Sequence, residues 1–288
     1  MRRFQAASLA AWKRWTALVR CRIAQSHAAH RRFLLIMRRH RGVTPDDIPD
    51  QKLPGAEDAA EAEGPARPHL LTRERLMSNS LDEMVRAAFG SRLMSPEERE
   101  RSLREMLNRR PPGPVWLFGY GSLIWNPTIH YVESRFARVE GWQRNFCLST
   151  PVGRGTPENP GLVLALDEGG SCEGIAFRIA EDVLSQELSL VWRREMLTGA
   201  YIPRWLSLHD AEGHVFGSGI AFTVNREGPQ YADLEENEVV RCLATATGQL
   251  GSAAEYLFQT HEGLRRLSIQ DPLIDHLAQL VSAARGEG

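Results

Sequence analysis

The sequence predicts an α+β fold, in which antiparallel strands pair around a small number of helices. Three observations support this class. Short apolar stretches of strand length lie between Gly-rich turns in residues 115–224. A helical stretch with acidic residues at its start and basic residues in its last turn separates the two predicted hairpins. Other helical stretches flank the strands, without the regular strand–helix alternation that produces a parallel sheet.

The overall composition is close to that of soluble globular proteins. Of the 288 residues, 42% are hydrophobic and 25% are charged, so a core that encloses a small-molecule site is feasible. The formal net charge is -1, which gives no general attraction to nucleic acid or anionic membranes. The apolar run at residues 33–37 is much shorter than the ~18 residues that a membrane helix needs. We expect no membrane span, no nucleic-acid partner and a monomeric chain.

The cysteines are too dispersed for a metal site or a redox pair. They are Cys21, Cys147, Cys172 and Cys242. No two of them form a C-x-x-C pair, and no pair of histidines lies near them at metal-ligand spacing. We therefore expect no metal, no structural disulfide and free thiols in a reducing cytoplasm.

Composition divides the chain into three segments. Residues 1–43 are rich in Arg and contain no Asp or Glu, which is typical of an appendage outside the folded domain or of an arm that binds a membrane or polyanion. Residues 44–69 form an acidic linker rich in Pro, Ala and Gly. Residues 70–288 are predicted to fold, with a core at about 114–230 and helical flanks.

Helix signals open the folded segment. Thr72 followed by Glu74 begins an amphipathic stretch. The run at residues 95–98, Ser-Pro-Glu-Glu, combines an N-cap, a proline at the first helical position and acidic residues in the first turn. The run at residues 109–114, Arg-Arg-Pro-Pro-Gly-Pro, ends this helical region.

The strand-rich part follows. Apolar stretches of strand length lie at residues 115–118, 162–166, 172–179, 202–209 and 215–224. Polar, glycine-containing turns at 167–170 and 210–213 predict that the last four stretches form two hairpins. Further helices are predicted at residues 181–197, 235–247 and 253–267. The first of these has Gly199 as its stop.

The loop at residues 118–127, FGYGSLIWNP, is a candidate cradle for an anion or an amide. Gly119 and Gly121 allow close approach of the backbone to a ligand. A dinucleotide fingerprint would need Gly at position 124, where Ile124 stands, and no Walker lysine follows. A nucleophile elbow centred on the serine would need Gly in place of Tyr120 as well. A tight turn without a ligand is the alternative interpretation.

Glu195 is the candidate acid/base. It shares one face of the predicted helix with the apolar residues Leu188, Val191 and Trp192. Burial and a position in the last helical turn both disfavour its charged form and therefore raise its pKa, which suits proton transfer. A structural ion pair with Arg193 or Arg194 is the alternative interpretation.

Three segments carry a resemblance to a known family. They are VWLFGYGSLIWNP at residues 115–127, GRGTPENPGLVLAL at 153–166 and LVWRREMLTGAYIPRW at 190–205. In sequence, order and spacing they resemble the ChaC family of γ-glutamylcyclotransferases, bacterial branch. The resemblance extends over about residues 71–283, and it implies a small mixed β-barrel with flanking helices.

The resemblance also implies roles for individual residues. The loop residues Tyr120, Gly121, Ser122 and Leu123 fall where the family holds the γ-glutamyl group, and Tyr201 ends the family's Gly-x-Tyr pattern. Glu195 falls on the catalytic glutamate. Arg154 is our candidate for binding a substrate carboxylate, with Arg144 and Arg204 as further candidates. Many family members have Arg where this chain has Leu162. If that Arg helps to hold a substrate carboxylate, either another arginine does so in this chain or the affinity is reduced.

The implied function is cleavage of reduced glutathione to 5-oxoproline and Cys-Gly, in the cytoplasm and without a cofactor. Two alternatives stay open. The enzyme could act on other γ-glutamyl amines or peptides, or the protein could bind γ-glutamyl compounds without turning them over.

Overall fold

A computed structural model describes residues 71–78, 80–89 and 93–286. The basic arm at 1–43 and the acidic linker at 44–69 lie outside the described residues, so these boundaries stay predictions. Within the described ranges, no helix has both the length and the apolar character needed to cross a bilayer. The same ranges contain no group of three or more His, Cys, Asp or Glu side chains arranged to hold a metal ion.

Within this part of the chain, a five-stranded barrel forms the centre of the fold. Its strands are β1 Trp116–Gly119, β2 Glu133–Thr150, β3 Gly161–Arg178, β4 Tyr201–His209 and β5 Val215–Val224. The order around the barrel is β1-β3-β2-β4-β5. Most neighbours are antiparallel, and β5 closes the barrel through parallel pairings with β1 and β3. The predicted α+β class and mixed barrel are confirmed.

The first predicted hairpin, residues 162–166 joined to 172–179, is wrong. Both stretches lie in the single strand β3, which pairs antiparallel with β2 over most of its length. No strand was expected at β2, because its sequence ESRFARVEGWQRNFCLST is rich in charged residues. When β2 is missing from the prediction, the polar run within β3 has no partner strand and resembles a turn.

Two glycines bend β3 at the place where the turn was expected. Gly169 has φ +122° and Gly170 has φ +55°, a region that favours glycine. In β2, a register shift between Glu140 and Trp142 lies at the same level. Residues 168–171 are exposed, so the bend lies outside the packed core. The run therefore produces an irregularity in two long strands and no reversal of the chain.

The second predicted hairpin is confirmed. β4 and β5 pair antiparallel from Tyr201 opposite Val224 to His209 opposite Val215. The polar residues between them form the connecting turn, in which Gly213 has φ +86°.

Helices surround the barrel. They are α1 Arg73–Met77, α2 Ser80–Phe89, α3 Pro96–Asn108, α4 Ser122–Trp125, α5 Leu184–Glu195, α6 Glu236–Thr245, α7 Ala253–Arg266 and α8 Pro272–Arg285. The predicted start of α3 is confirmed as a capping box, in which Ser95 and Glu98 each accept from the other's backbone N–H. The predicted α5, α6 and α7 are confirmed with shorter ends. Sequence analysis missed α8, whose N-cap is Asp271.

Two hydrophobic cores hold the helices on the barrel, and β1 contributes to both. Phe118 belongs to the core that includes apolar residues of α6, α7 and α8. Leu117 belongs to the core shared with α3 and α5. Successive strand residues point to opposite faces, so a strand covered on both sides is buried throughout, as β1 is. The loop at residues 118–127, called the glycine-rich loop below, therefore starts from a strand that is buried on both sides.

Candidate active site

The glycine-rich loop makes a tight turn from β1 into α4. Tyr120 follows the strand directly and donates its hydroxyl hydrogen bond to the carbonyl of Phe222 in β5, at 2.7 Å. Ser122 and Leu123 begin the short helix α4. Because the first N–H groups of a helix have no carbonyl partner within it, this turn presents backbone amides at its inner side.

Close packing at position 121 leaves little room for a side chain. A Cβ atom at Gly121 would lie 2.9 Å from the Tyr256 hydroxyl oxygen, closer than real Cβ atoms approach other atoms. Tyr256 belongs to α7, so the glycine lets the turn and α7 meet. The loop therefore packs closely against α7, with the Tyr256 hydroxyl at its inner side, and its role as a ligand cradle stays a prediction.

Glu195 is the last residue of α5. The apolar residues predicted to share its face, Leu188, Val191 and Trp192, are buried. The Glu195 side chain is 14% exposed, and its carboxylate lies 2.9 Å from the Arg194 guanidinium. Burial raises the pKa of Glu195 above its ordinary value, and the charge and hydrogen bond of Arg194 oppose part of this rise. The carboxyl is ion-paired and its pKa is still raised, and its role in proton transfer stays a prediction.

Arg194 connects Glu195 to the glycine-rich loop. Its guanidinium donates to the Ser122 hydroxyl at 2.7 Å and to the carbonyl of Asn126 at 2.6 Å. A further hydrogen bond, 3.0 Å long, reaches the hydroxyl of Thr128. One cation thus fixes the end of α5 against the loop, and it holds the Glu195 carboxylate at the inner side of the turn.

An inner recess brings most of the predicted site residues together. Its lining includes Tyr120, Gly121, Ser122, Leu123, Glu195 and Tyr201. These residues come from the loop, from the end of α5 and from the start of β4. The structure therefore brings these predicted site residues close together, as the sequence analysis expects.

Three tyrosines line this recess. The Tyr201 hydroxyl donates to the Leu164 carbonyl at 3.0 Å, and the Tyr256 hydroxyl accepts from the Leu164 N–H at 3.4 Å. Burial, with a smaller contribution from the charge of Glu195, raises the pKa values of Tyr120 and Tyr201 well above the ordinary value. Burial also raises the pKa of Tyr256 to about 12. All three therefore stay protonated hydrogen-bond donors at neutral pH.

A wider outer cleft adjoins the recess and shares Ser122, Glu195, Tyr201 and Tyr256 with it. The cleft holds about 1030 Å³ of space between protein atoms, including space that is open to solvent. Its lining is largely apolar, and Arg154 provides a cation there. Arg154 donates to the Ser252 carbonyl at 3.2 Å. The arrangement has a small polar recess at Glu195 and a larger, partly apolar cleft outside it.

Of the candidate arginines, only Arg154 lies at the cleft. Arg144 is buried and pairs with Asp271, and it also donates to the carbonyls of Tyr120 and Glu173. Its expected role in carboxylate binding is wrong, because these partners already use its guanidinium.

Arg204 and Leu162 also lie apart from the site lining. Arg204 donates to the Thr223 hydroxyl at 3.1 Å and lies over the Trp142 ring, and it lines neither the recess nor the cleft, so the structure gives no support for its expected role in carboxylate binding. Leu162 is 0% exposed and packs in the core that β3 shares with α6, α7 and α8. A charged side chain at that position would need a rearrangement of the core.

Sequence analysis missed Arg194 as a positioning residue and Tyr256 as a lining residue. The sequence presents Arg194 only as a partner of Glu195, because the polar loop residues that Arg194 contacts lie far from it in the chain. Tyr256 resembles an ordinary apolar residue of an amphipathic helix. Gly121 is the one sequence feature that indicates such a neighbour, because a glycine at a close backbone approach implies that another group fills the space of a side chain.

Comparisons with known proteins agree with this geometry. The family model described as "ChaC-like protein" matches residues 115–285. A glutathione-specific γ-glutamylcyclotransferase of Escherichia coli (strain K12) is 41% identical over 210 residues, which are 72% of this chain and 90% of that protein. The enzyme of the same name from Schizosaccharomyces pombe (strain 972 / ATCC 24843) is 31% identical, over 61% of this chain and 94% of that protein.

A solved structure shares the fold. The crystal structure of a γ-glutamyl cyclotransferase specific to glutathione from yeast matches with a TM-score of 0.55 at 20% sequence identity. The match covers 61% of this chain and 99% of that chain.

Proposed function

This chain belongs to the ChaC-like protein family, and we propose that it is a glutathione-specific γ-glutamylcyclotransferase. In this reaction the α-amine of the γ-glutamyl group attacks its own side-chain amide carbonyl. A C–N bond forms and closes a five-membered lactam, and the C–N bond to the cysteinyl nitrogen breaks. The products are 5-oxoproline and Cys-Gly.

The observation that carries the proposal is the buried Glu195 carboxyl, which lines the recess beside the glycine-rich loop. The α-amine starts as an ammonium group and must lose a proton before it attacks. A carboxylate whose pKa is raised by burial is a stronger base than an ordinary one. We propose that Glu195 accepts this proton and returns it to the departing cysteinyl nitrogen.

The recess would contribute mainly by holding the folded conformer of the substrate. Nucleophile and electrophile lie in one molecule, and fixing their approach supplies up to ~7–11 kcal/mol in ideal cases. The loop residues Tyr120, Gly121, Ser122 and Leu123 are proposed to surround the γ-glutamyl group, with Tyr201 on the opposite side. Backbone amides of the turn and the Tyr256 hydroxyl are donors suited to the oxygen that gains negative charge.

Arg154 is proposed to bind the carboxylate of the departing Cys-Gly. The scissile bond must lie at Glu195, so the departing part extends into the adjoining outer cleft, where Arg154 lies. Burial lowers the pKa of Arg154, but an arginine stays protonated at neutral pH. Its neighbour Glu255 lies 3.6 Å away, which leaves room for a substrate carboxylate to compete for the guanidinium.

We also propose that the protein works in the cytoplasm as a monomer. The described cysteines Cys147, Cys172 and Cys242 are free and buried, which suits a reducing compartment that keeps glutathione in its thiol form.

The test is release of 5-oxoproline and Cys-Gly from reduced glutathione by the purified protein and by Glu195→Gln. The parent should turn glutathione over, and the variant should lose about a hundredfold or more in kcat, as expected for removal of an acid/base. Circular dichroism of both proteins controls for folding. A folded parent without turnover would remove the enzymatic function, and full turnover by Glu195→Gln would remove Glu195 as the base.

A substrate analogue tests the intramolecular attack itself. Glutaryl-Cys-Gly lacks the α-amine but keeps the amide and the departing dipeptide. It should inhibit the reaction competitively and release no Cys-Gly, because it has no nucleophile. Release of Cys-Gly from it would instead indicate hydrolysis by water.

A further inference from the structure

A segment outside the matched family region forms one wall of the outer cleft. We call the described residues 71–78 and 80–89 the N-terminal cover; it contains α1 and α2. The family model begins at residue 115. Four apolar side chains of the cover nevertheless line the outer cleft: Leu71, Leu81, Met84 and Val85.

The cover forms a continuous apolar surface with the body of the protein. Leu81 and Val85 are buried in one hydrophobic cluster with Leu197, which follows Glu195 closely in the chain. Leu71, Met84 and Val152 pack against this cluster and are half-buried. Each of these residues also lines the cleft. The cleft therefore has an apolar wall beside Glu195.

Polar contacts hold the cover in place at the site. Arg73 makes two hydrogen bonds of 2.6 Å to the carboxylate of Glu187, whose side chain is 1% exposed. The Asn126 side chain donates to the Leu71 carbonyl at 2.9 Å, which ties the cover to the segment after the glycine-rich loop. Asp82 in α2 is paired with Arg99 in α3 at 2.7 Å. These contacts fix the wall at both of its helices.

The position of the wall determines which part of a substrate it meets. On the proposed function, the γ-glutamyl group fills the inner recess and the scissile amide lies at Glu195. The residue on the departing side of that amide must then enter the outer cleft between the apolar wall and Arg154. Its side chain would leave water for an apolar surface, which favours a thiol or alkyl group and opposes a charged or strongly polar one.

We propose that the N-terminal cover is a specificity element, whose apolar wall selects γ-glutamyl substrates with a small, weakly polar side chain on the departing residue. This inference rests on the proposed function and assigns a substrate contact to residues that precede residue 115, where the family-model match begins. The cover selects cysteinyl over seryl or aspartyl substrates of the same length. Met84 is the most informative wall residue, because it is half-buried, lies in the cleft lining and ends in a flexible chain.

The experiment compares γ-Glu-Cys-Gly with γ-Glu-Ser-Gly in the parent, in Met84→Gln and in Met77→Gln. Glutamine keeps the length of methionine and changes its polarity. Met77 lies in the same cover but is 58% exposed and does not line the cleft, so it provides a matched control. The parent should prefer the cysteinyl substrate by about tenfold in kcat/KM, the scale on which apolar pockets discriminate. Met84→Gln should reduce this preference at least threefold, and Met77→Gln should leave it unchanged.

A binding measurement separates this inference from the proposed function. Glutaryl-Cys-Gly and glutaryl-Ser-Gly cannot cyclise, so calorimetry gives their Kd ratio whether or not the protein is catalytic. The same shift in ratio for Met84→Gln supports the cover as a specificity element.

Val85→Thr, a change of similar shape, is the second variant if Met84→Gln fails to fold. A turnover-competent parent whose kcat/KM and Kd ratios are unchanged by the folded wall variant would overturn the inference and leave the cyclotransferase activity in place. A parent without turnover would remove the activity, and its Kd ratios would still decide the role of the wall.

Discussion

At the scale of single residues, the site depends on how Glu195 is kept ready to accept a proton. Its carboxyl is largely buried, which disfavours the charged form, and Arg194 restores part of the charged population. The same Arg194 is bound to Ser122 and to the carbonyl of Asn126. One guanidinium therefore positions the proposed base and lowers a pKa that burial has raised.

The pH dependence of the reaction should report this balance. The base must be ionised, so kcat/KM should fall as the pH drops through the raised pKa of Glu195, above the ordinary value of 4.5. Arg194→Gln removes the charge that lowers this pKa, so the acidic limb should move to higher pH. The measurement is kcat/KM for glutathione between about pH 4 and 9. A limb that stays in place would show that another group governs ionisation at the site. Arg193→Gln is the matched control, since Arg193 donates to the Met77 carbonyl and does not line the cleft.

The close approach at Gly121 gives a second prediction for single residues. Gly121→Ala places a methyl group 2.9 Å from the Tyr256 hydroxyl, so the turn or α7 must shift. We expect a loss of about 1–3 kcal/mol in the free energy of unfolding and a fall of roughly a hundredfold in kcat/KM. Adding Tyr256→Phe removes the clashing oxygen.

The double variant should recover much of the stability, as measured by denaturant unfolding, but not the activity. If both changes destabilise additively, the two groups are not in contact.

At the scale of secondary-structure elements, buried polar pairs fasten the helices around the site. Burial alone would raise the pKa of Glu187, but its hydrogen bonds from Arg73 and from the backbone N–H of His130 lower it overall. Glu187 lies in α5 and Arg73 in α1, so this pair joins the cover to the helix that ends at Glu195.

Loss of this pair should be costly. Arg73→Ala leaves the Glu187 carboxylate buried without its cation, and we expect the free energy of unfolding to fall by about 3 kcal/mol. Urea denaturation at neutral pH measures the effect. Arg101→Ala, in α3 and with an exposed side chain, is the control and should change stability by less than ~0.5 kcal/mol. Equal effects of the two variants would contradict the role of the Arg73–Glu187 pair. Replacing both members of the pair by methionine should recover most of the loss.

At the scale of the whole molecule, the barrel brings together groups that lie far apart in the chain. Arg144 in β2 illustrates this, because it binds Asp271 before α8, the carbonyl of Glu173 in β3 and the carbonyl of Tyr120 in the loop. Arg154, in the loop that follows β2, instead lies at the cleft. The first arginine connects parts of the fold, and the second lines the cleft while it contacts the Ser252 carbonyl and Glu255.

Conservative variants should separate these two roles. Lysine cannot reproduce the several directed hydrogen bonds of a guanidinium, so Arg144→Lys should lower the free energy of unfolding by about 3 kcal/mol. Arg154→Lys should raise KM for glutathione about tenfold with little change in thermal stability, because its role is proposed to lie in substrate binding. The measurements are thermal unfolding and steady-state kinetics of both variants. A raised KM in Arg144→Lys alone would reverse the two assignments.

Local signals account for what the sequence by itself determined. The α3 start follows from Ser95, Pro96 and Glu98, because capping depends on neighbours in the chain. The β4–β5 hairpin follows from two apolar stretches and a short turn. The glycine-rich loop and Glu195 were found because a Gly-Tyr-Gly turn after a strand and a carboxylate on an apolar helix face are unusual at the level of sequence alone.

Only the tertiary structure decided which distant groups meet. The run at residues 167–170 resembles a turn in the sequence, but pairing of β2 with β3 keeps it within a strand. The backbone hydrogen bonds of a strand are made with its partner strand, which local sequence does not identify. The same holds for Tyr256 beside Gly121, Arg194 between Glu195 and the loop, and the cover at the outer cleft. The local sequence determines turns, caps and helix faces. The burial and the partners of a side chain, which set its pKa and its access to a substrate, arise only when the elements pack.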